Sequence, residues 1–211
     1  MSAGTGKDLV ILTAALDAES ALRGILGRHE SLGIRVLSPH RVDVFRHIQH
    51  DNGCYGNAHE FLRPFIRTHR HALVVFDHHG SGHEQDSAEE IEVELERRLS
   101  ETGWDDRRAV IVLDPELEAW VWSDSPHVDD ELGWAQQQPT LRQWLVSRQM
   151  MAAQDAKPAD PKRAMRMALR ERSKPPSPRL FRNLAERVSL QRCQDRAFTK
   201  LRAVLRTWFG Q

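Results

Sequence analysis

Residues 72–84, "ALVVFDHHGSGHE", decide the fold class of this 211-residue chain. The apolar run over 72–76 is typical of a buried strand, and Asp77, two histidines and a glycine-rich turn follow it. Two similar runs are present, "KDLVILTAA" at 7–15 and "RRAVIVLD" at 107–114. Because amphipathic segments separate these runs, the sequence predicts an α/β fold with a mostly parallel sheet flanked by helices.

The segments between the strands predict the remaining elements of this core. A helix is expected over 17–33, capped by Asp17, and a second over 86–103, where Ser87 and Glu90 form a capping pattern. Residues 34–45 are interpreted as a weaker strand interrupted by Pro39. Residues 46–57 are interpreted as a polar loop, followed by a short helix over 58–70.

The distribution of charge changes along the chain although the formal net charge is zero. From Asp77 to Glu131 there are 18 acidic residues against 4 Lys and Arg, and from Pro139 to Gln211 there are 17 Lys and Arg against 5 acidic residues. The two segments either neutralise each other within one body, or the basic one binds phosphate while the acidic one holds a metal. We predict an α/β core over 1–124 and a basic, C-terminal helical lobe over 125–211, packed on that core.

Composition favours a cytoplasmic protein that does not enter a membrane. No run approaches the roughly 18 uninterrupted apolar residues of a membrane helix, and the first residues are typical of a strand rather than a signal peptide. Cys54 and Cys193 lie far apart and outside any CxxC motif. A reduced compartment without structural disulfides is therefore predicted.

The stretch after residue 76 is a candidate metal site, because ligands bind at the carboxyl ends of strands in such sheets. Asp77 and His79 are two residues apart and would project to one side of a continuing strand, whereas His78 would project to the other. The glycine turn can bring His83 and Glu84 back towards them. The alternative is that Asp77 caps a turn and the histidines are exposed.

The stretch "LDPELEAWVW" at 113–122 also has two interpretations. Asp114 and Pro115 are typical of a helix start, with Glu116 and Glu118 in the first turn at the positive end of the helix dipole. Alternatively, carboxylates converge here from neighbouring strand ends and form a cation site.

The stretch "KPADPKRAM" at 157–165 precedes a basic helix. In one interpretation Asp160 simply caps that helix, with a proline in its first position. In the other, four basic residues bind backbone phosphates beside the acidic centre: Lys157, Lys162, Arg163 and Arg166.

The order of these landmarks, "VVFDHHG", "DPELEAWVW", "KPADPKRAM" and "LFRNLAERV", resembles the Toprim-related bacterial proteins of the DUF4276 type. Some members of that family belong to phage-defence loci, including methylation-associated defence systems. The resemblance implies a Toprim-like sheet whose carboxylates bind magnesium for phosphoryl transfer. It places Asp77 at the first position of a DxD motif and His79 at the second.

The resemblance also implies a glutamate near Ala14, where this chain has no carboxylate and Glu19 is the nearest glutamate. Three outcomes remain open. Glu116 and Glu118 supply the missing carboxylates, or a metal that tolerates histidine, such as manganese or zinc, replaces magnesium, or the centre is inactive. Glu19, His78 and His83 are possible additional ligands.

The expected function is an accessory role in bacterial anti-phage defence. The centre would be a degenerate relative of a metal-dependent phosphoesterase or nuclease that acts on or binds nucleic acid. The expected metal is Mn, Zn or Mg, held by Asp77, His79, Glu116 and Glu118, and no organic cofactor is implied. The alternative is a non-catalytic binding or scaffold protein that docks partner proteins of a defence system.

Overall fold

The computed structural model describes residues 6–123, 125–191 and 193–211 and confirms the α/β fold. Its sheet has four parallel strands in the order β2-β1-β3-β4. The strands are β1 (Lys7–Thr13), β2 (Val42–Arg46), β3 (His69–Asp77) and β4 (Arg108–Leu113). The chain winds from β1 outward to β2 and then to β3 on the other side of β1, so the carboxyl ends of β1 and β3 form the topological switch point where such sheets bind ligands.

Ten α-helices accompany the sheet in the described ranges. The first five are α1 (Leu16–Leu26), α2 (His29–Leu32), α3 (His50–Leu62), α4 (Ala88–Leu99) and α5 (Glu118–Val121). The others are α6 (Pro126–Leu132), α7 (Leu141–Ser147), α8 (Pro161–Glu171), α9 (Pro178–Arg187) and α10 (Arg196–Phe209). None of these helices is both long enough and apolar enough to cross a membrane.

The two faces of the sheet bury alternate residues of each strand, as the twofold repeat of a strand requires. Val10 and Phe76 belong to one face, which packs against α3 and α4. Leu9 and Val75 belong to the other face, which packs against α1 and α8–α10. The C-terminal helices therefore share a continuous hydrophobic core with the sheet. The predicted domain boundary at residue 124 lies outside the described residues.

The predicted loop over 46–57 is wrong, because α3 begins inside it at His50. Cys54, Ala58 and Leu62 are fully buried at four-residue spacing and form the face that packs on the sheet. Polar residues and two glycines surround them in the sequence, so the helical period is hard to see there. This correction matters because α3 brings Asp51 to the carboxyl edge of the sheet.

Several predicted boundaries also differ from the structure. The helix predicted over 17–33 is two helices, and its N-cap is Ala15, so Asp17 lies in the first turn instead of capping it. In the region predicted as a strand over 34–45, β2 begins only at Val42, since Pro39 starts a short 3₁₀ turn. The helix predicted over 86–103 is confirmed as α4 with its capping box of Ser87 and Glu90, although it ends at Leu99.

Candidate metal centre

Three carboxylates converge where β3 and β4 end. Asp77 is the last residue of β3 and pairs in register with Leu113, the last residue of β4. The chain then turns through 114–117 into α5, so that Glu116 in the turn and Glu118 at the start of the helix lie beside Asp77. One carboxylate oxygen from each of the three residues lies within 4.8 Å of the others. This grouping is a candidate cation site at the edge of the sheet where the switch point lies.

Backbone hydrogen bonds fix the position of Asp77. Its Oδ1 accepts from the backbone N–H of Leu117 at 2.9 Å, and its own backbone N–H donates to Asp51 Oδ1 at 2.9 Å. The N–H of His79 donates to the Pro115 carbonyl at 3.0 Å. The end of β3, the turn before α5 and the start of α3 therefore hold one another in place.

Lys162 supplies positive charge to this group of acids. Its Nζ lies 2.5 Å from Glu116 Oε2 and 4.0 Å from Glu118 Oε1. It stands in the first turn of α8, whose N-cap Asp160 accepts from the backbone N–H of Arg163 at 2.9 Å. The predicted capping role of Asp160 is confirmed, and it orients the turn that carries Lys162.

The carboxylates are poorly solvated, since Glu116 is 8% exposed and Glu118 is 7% exposed. Burial raises the pKa of Asp77 well above its usual range, and the charges of Asp51 and Glu118 raise it further. Burial likewise raises the pKa values of Glu118, Asp51 and Asp17, while the charge of Lys162 opposes each of these shifts.

The pKa of Lys162 is raised as well. Burial alone would lower this pKa, but the hydrogen bond to Glu116 and the neighbouring carboxylates outweigh it. The ammonium of Lys162 is thus surrounded by several carboxylates that lie close together and are largely shielded from water. A divalent cation would relieve this repulsion, and the all-oxygen donor set suits a hard ion.

The interpretation of Asp114 as a helix N-cap is wrong. Helix α5 begins at Glu118, four residues later, and the residue before it is Leu117. Glu116 consequently lies in the turn and Glu118 at the first helical position, so both point to Asp77. The alternative interpretation, convergence of carboxylates from neighbouring strand ends, agrees with this geometry.

The structure does not bring His79 into the carboxylate group. Strand β3 ends at Asp77, so the alternation that would place residues 77 and 79 on one side does not extend to His79, which is exposed. His78 Nε2 hydrogen-bonds with the Asp86 carbonyl at 2.9 Å, and His83 Nδ1 lies 3.3 Å from Asp86 Oδ2. The histidines therefore shape the loop after β3.

The remaining predicted residues also have other partners. Glu19 lies 2.9 Å from Arg23 and 3.3 Å from Arg46, so it does not replace the glutamate that the resemblance implies. Glu84 Oε1 accepts from the backbone N–H of Gly80 at 2.8 Å. Lys157 Nζ lies 3.7 Å from Asp195 Oδ2. Among the predicted phosphate ligands, only Lys162 contacts the carboxylate group, whereas Arg163 and Arg166 are exposed on α8.

Sequence reasoning missed two acids of this site, Asp51 and Asp17. The sequence places Asp51 in a predicted loop, and the acidic residue close to a glycine in what is the start of α3 is the available signal. Asp17 is not the predicted cap but lies in the first turn of α1, shortly after β1. The positive charge of Lys162 acts to lower the pKa of Asp17, as it does that of Glu118. Their position after neighbouring strands could have suggested a common site.

Comparison with known proteins returns no relative for this chain. No protein-family model matches it, and neither a curated protein nor a solved structure does. The resemblance to the Toprim-related proteins of the DUF4276 type stays a prediction.

Proposed function

We propose that this protein is a divalent-metal-dependent phosphodiesterase. The observation that carries the proposal is the convergence of Asp77, Glu116 and Glu118 oxygens within 4.8 Å at the carboxyl ends of neighbouring parallel strands. A hard cation in such a site supplies an activated water and polarises a phosphoryl oxygen. The resemblance to Toprim-related proteins points to the same reaction class.

The metal that this donor set favours is magnesium or manganese rather than zinc. The three residues offer only carboxylate oxygens, which suit hard ions, and His79 is outside the group. This supports the first of the three expected outcomes, in which Glu116 and Glu118 supply the carboxylates that the Toprim pattern requires.

The surrounding residues position the carboxylates and supply positive charge. Asp51 holds the backbone of Asp77 and so orients its carboxylate. Lys162 contacts Glu116, and its ammonium would be able to donate to a non-bridging phosphate oxygen of a bound substrate. Leu117, the residue after Glu116, donates its backbone N–H to Asp77 and so fixes the turn that carries Glu116.

Hydrolysis of bis(p-nitrophenyl) phosphate with Mn²⁺, Mg²⁺ or Zn²⁺ tests the proposal directly. We expect turnover with Mn²⁺ or Mg²⁺, abolished by EDTA and by Asp77→Asn or Glu118→Gln. His79→Ala is the matched control and should retain the rate of the wild type. Failure of the wild type to hydrolyse the ester with any of these ions, although it binds them, would refute phosphodiesterase activity.

A second candidate, a non-catalytic scaffold with an inactive centre, is favoured by one observation. Lys162 already places an ammonium 2.5 Å from Glu116 and so provides counter-charge without a metal. In that case Lys162→Ala should lower the melting temperature strongly. Mn²⁺ should not bind to the variant and should not restore its melting temperature. If the site holds a metal, Mn²⁺ should instead bind the variant and stabilise it.

The accessory role in anti-phage defence is proposed on the resemblance alone. A nucleolytic centre would act on phage or host nucleic acid during infection. Plating of phage on cells that carry the native locus, compared with the same locus encoding Asp77→Asn, measures this role. Equal protection by both loci would show that the carboxylate group does not contribute to defence.

A further inference from the structure

We propose that a cavity among the C-terminal helices is a binding site for an organic amine with an apolar body. The cavity has a volume of about 950 Å³ and lies between α1, α5, α6, α7, α9 and the start of α10. Neither Asp77 nor Glu118 belongs to the described residues that line it, so the cavity is separate from the carboxylate group. The inference is therefore independent of the proposed function.

The size and the lining of this cavity are those of a small-molecule site. A packed protein interior contains few voids larger than a water molecule, whereas ligand pockets measure about 300–1,000 Å³ and are mostly apolar. Apolar side chains from several helices form the walls, among them Ile25, Trp120, Leu145, Leu184, Val188 and Phe198. These walls favour a ligand with an apolar body, because that body leaves water when it binds.

The charged residues of the lining disfavour an anionic ligand. They comprise three acids and two bases: Asp129, Asp155, Asp195, Arg142 and Lys157. Arg142 donates to the backbone carbonyls of Ala153 and Asp155 at 2.8 Å and 2.7 Å, and Lys157 Nζ lies 3.7 Å from Asp195 Oδ2. Both bases of the described lining therefore already have partners, and acidic residues are in excess.

Asp129 supplies the charge that selects an amine. Its carboxylate has no hydrogen-bond or ion-pair partner in the described part of the chain, whereas the exposed carboxylate of Asp130 lies 3.2 Å from Arg187. Burial raises the pKa of Asp129, and the charge of Asp130 raises it further. An ammonium group in the cavity would provide the missing counter-charge and favour the ionised form of this carboxyl group.

Ser123 offers a second acceptor on the same wall of the cavity, just before α6. Its Oγ is buried and has no hydrogen-bond partner within the residues that the structure describes. Buried polar atoms without a partner are rare in proteins. An ammonium group has three N–H donors and no acceptor, so it matches a lining whose unpartnered groups, Ser123 and Asp129, both accept.

Three dansyl probes of similar length test the site in the presence of EDTA at pH 7.5. Dansylcadaverine ends in an ammonium group, N-dansyl-6-aminohexanoate ends in a carboxylate, and N-pentyl dansylamide ends in a methyl group. Energy transfer from the protein tryptophans to the dansyl group, with Trp120 in the wall, measures binding. We expect the ammonium probe to bind about tenfold or more tightly than the other two, as a hydrogen bond to a charged group provides.

Asp129→Asn should remove this preference, so that the ammonium and pentyl probes bind within about twofold of each other. Asp130→Asn is the matched control, because it removes the same charge from the next residue, which has Arg187 as its partner. It should retain the preference. Val188→Trp fills part of the cavity and should weaken the binding of all three probes, and circular dichroism checks that each variant is folded.

The outcomes that would overturn the proposal are distinct. Binding of none of the probes by the wild type would refute the site itself. Equal binding of the three probes, or tighter binding of the carboxylate probe, would refute the choice of an amine. Loss of the ammonium probe in Asp77→Asn but not in Asp129→Asn would place the amine at the carboxylate group and not in the cavity.

Discussion

At the scale of a single residue, Asp77 shows how acidic side chains gather at the end of a strand. Its backbone N–H and one carboxylate oxygen are held by Asp51 and Leu117, and the side chain faces Glu116 and Glu118 across less than 4.8 Å. Burial and like charge both raise its pKa. Both effects favour the neutral form of this carboxyl group, whereas a bound cation would favour its ionised form.

Replacing Asp77 by Asn should weaken Mn²⁺ binding at least about 100-fold, since a ligand is lost and not merely reoriented. Calorimetric titration measures the change. His79→Ala, two residues away, should bind Mn²⁺ within twofold of the wild type. An equal loss of affinity in both variants would show that His79 moves into the coordination sphere when a metal binds.

Asp51→Ala should lower Mn²⁺ affinity by about 10- to 100-fold, because the residue that holds Asp77 in place is removed although no ligand of the three-carboxylate group is lost. Asp51→Asn retains an oxygen that can accept from the Asp77 N–H, so it should recover much of the loss. Calorimetry on both variants separates this positioning role from direct ligation. Equal defects in the two variants would indicate that the charge of Asp51 itself binds the metal.

At the scale of elements, the crossing of α1 and α9 joins the C-terminal helices to the sheet. Gly24 of α1 lies at the contact, where an added Cβ would come within 2.9 Å of both Ala185 Cβ and the Arg182 carbonyl oxygen. That oxygen belongs to the backbone of α9 and cannot move independently. The close approach of the two helices consequently depends on a glycine at this position.

Gly24→Ala should destabilise the protein by about 1–3 kcal/mol, because the added methyl group forces the two helices apart. Gly56→Ala in α3 is the matched control, since its added Cβ meets no atom within 4 Å. The control should be neutral or stabilising by up to about 1 kcal/mol through helix propensity. Urea unfolding of both variants measures the difference, and a stabilising Gly24→Ala would contradict the packing argument.

At the scale of the whole molecule, α10 contacts both the sheet and α4. Arg196 and Lys200 of α10 lie 2.9 Å and 3.1 Å from the buried carboxylate of Glu92, which also accepts from the Val112 N–H at 2.8 Å. At the far end of α10, Trp208 stacks on His71 of β3, with 4.5 Å between ring centroids. Distant parts of the chain thus stabilise one core.

The stability of the molecule should fall as pH decreases from about 6.5 to about 4 through His71. Burial, with smaller contributions from Arg107 and Arg70, lowers the pKa of His71 to about 4. The unfolded chain therefore binds more protons in that interval, so acid favours unfolding, and the contribution is fully present above pH 6.5.

His71→Phe keeps an aromatic ring against Trp208 and removes this titration. Between pH 7 and pH 4.5 the wild type should lose about 1–2 kcal/mol more than the variant, less than the full shift would give because His71 is only half-buried. Urea unfolding across this range gives the comparison. Parallel stability profiles for the two proteins would exclude His71 as the cause.

The parallel sheet and its strongest elements could be predicted from the sequence. Long apolar runs around residues 9–12, 72–76 and 109–113 need burial on both faces, which only a covered parallel sheet provides. The sequence also predicts the capping box of α4 and the N-cap of α8, because each depends on residues three positions apart. Local chemistry determined these elements because each depends on neighbours in the sequence.

Other features were decided only by tertiary structure. The polar start of α3 becomes a helix because its few apolar residues pack against the sheet, and Asp51 reaches Asp77 across 26 positions of sequence. The choice between a helix cap and a cation site at 114–118 depended on where α5 begins. The sequence by itself determined the sheet and the polar residues at its strand ends. Only the folded chain brings together Asp77, Glu116, Glu118 and Lys162. The physical reason is that contacts between side chains from distant segments depend on how the helices and strands pack.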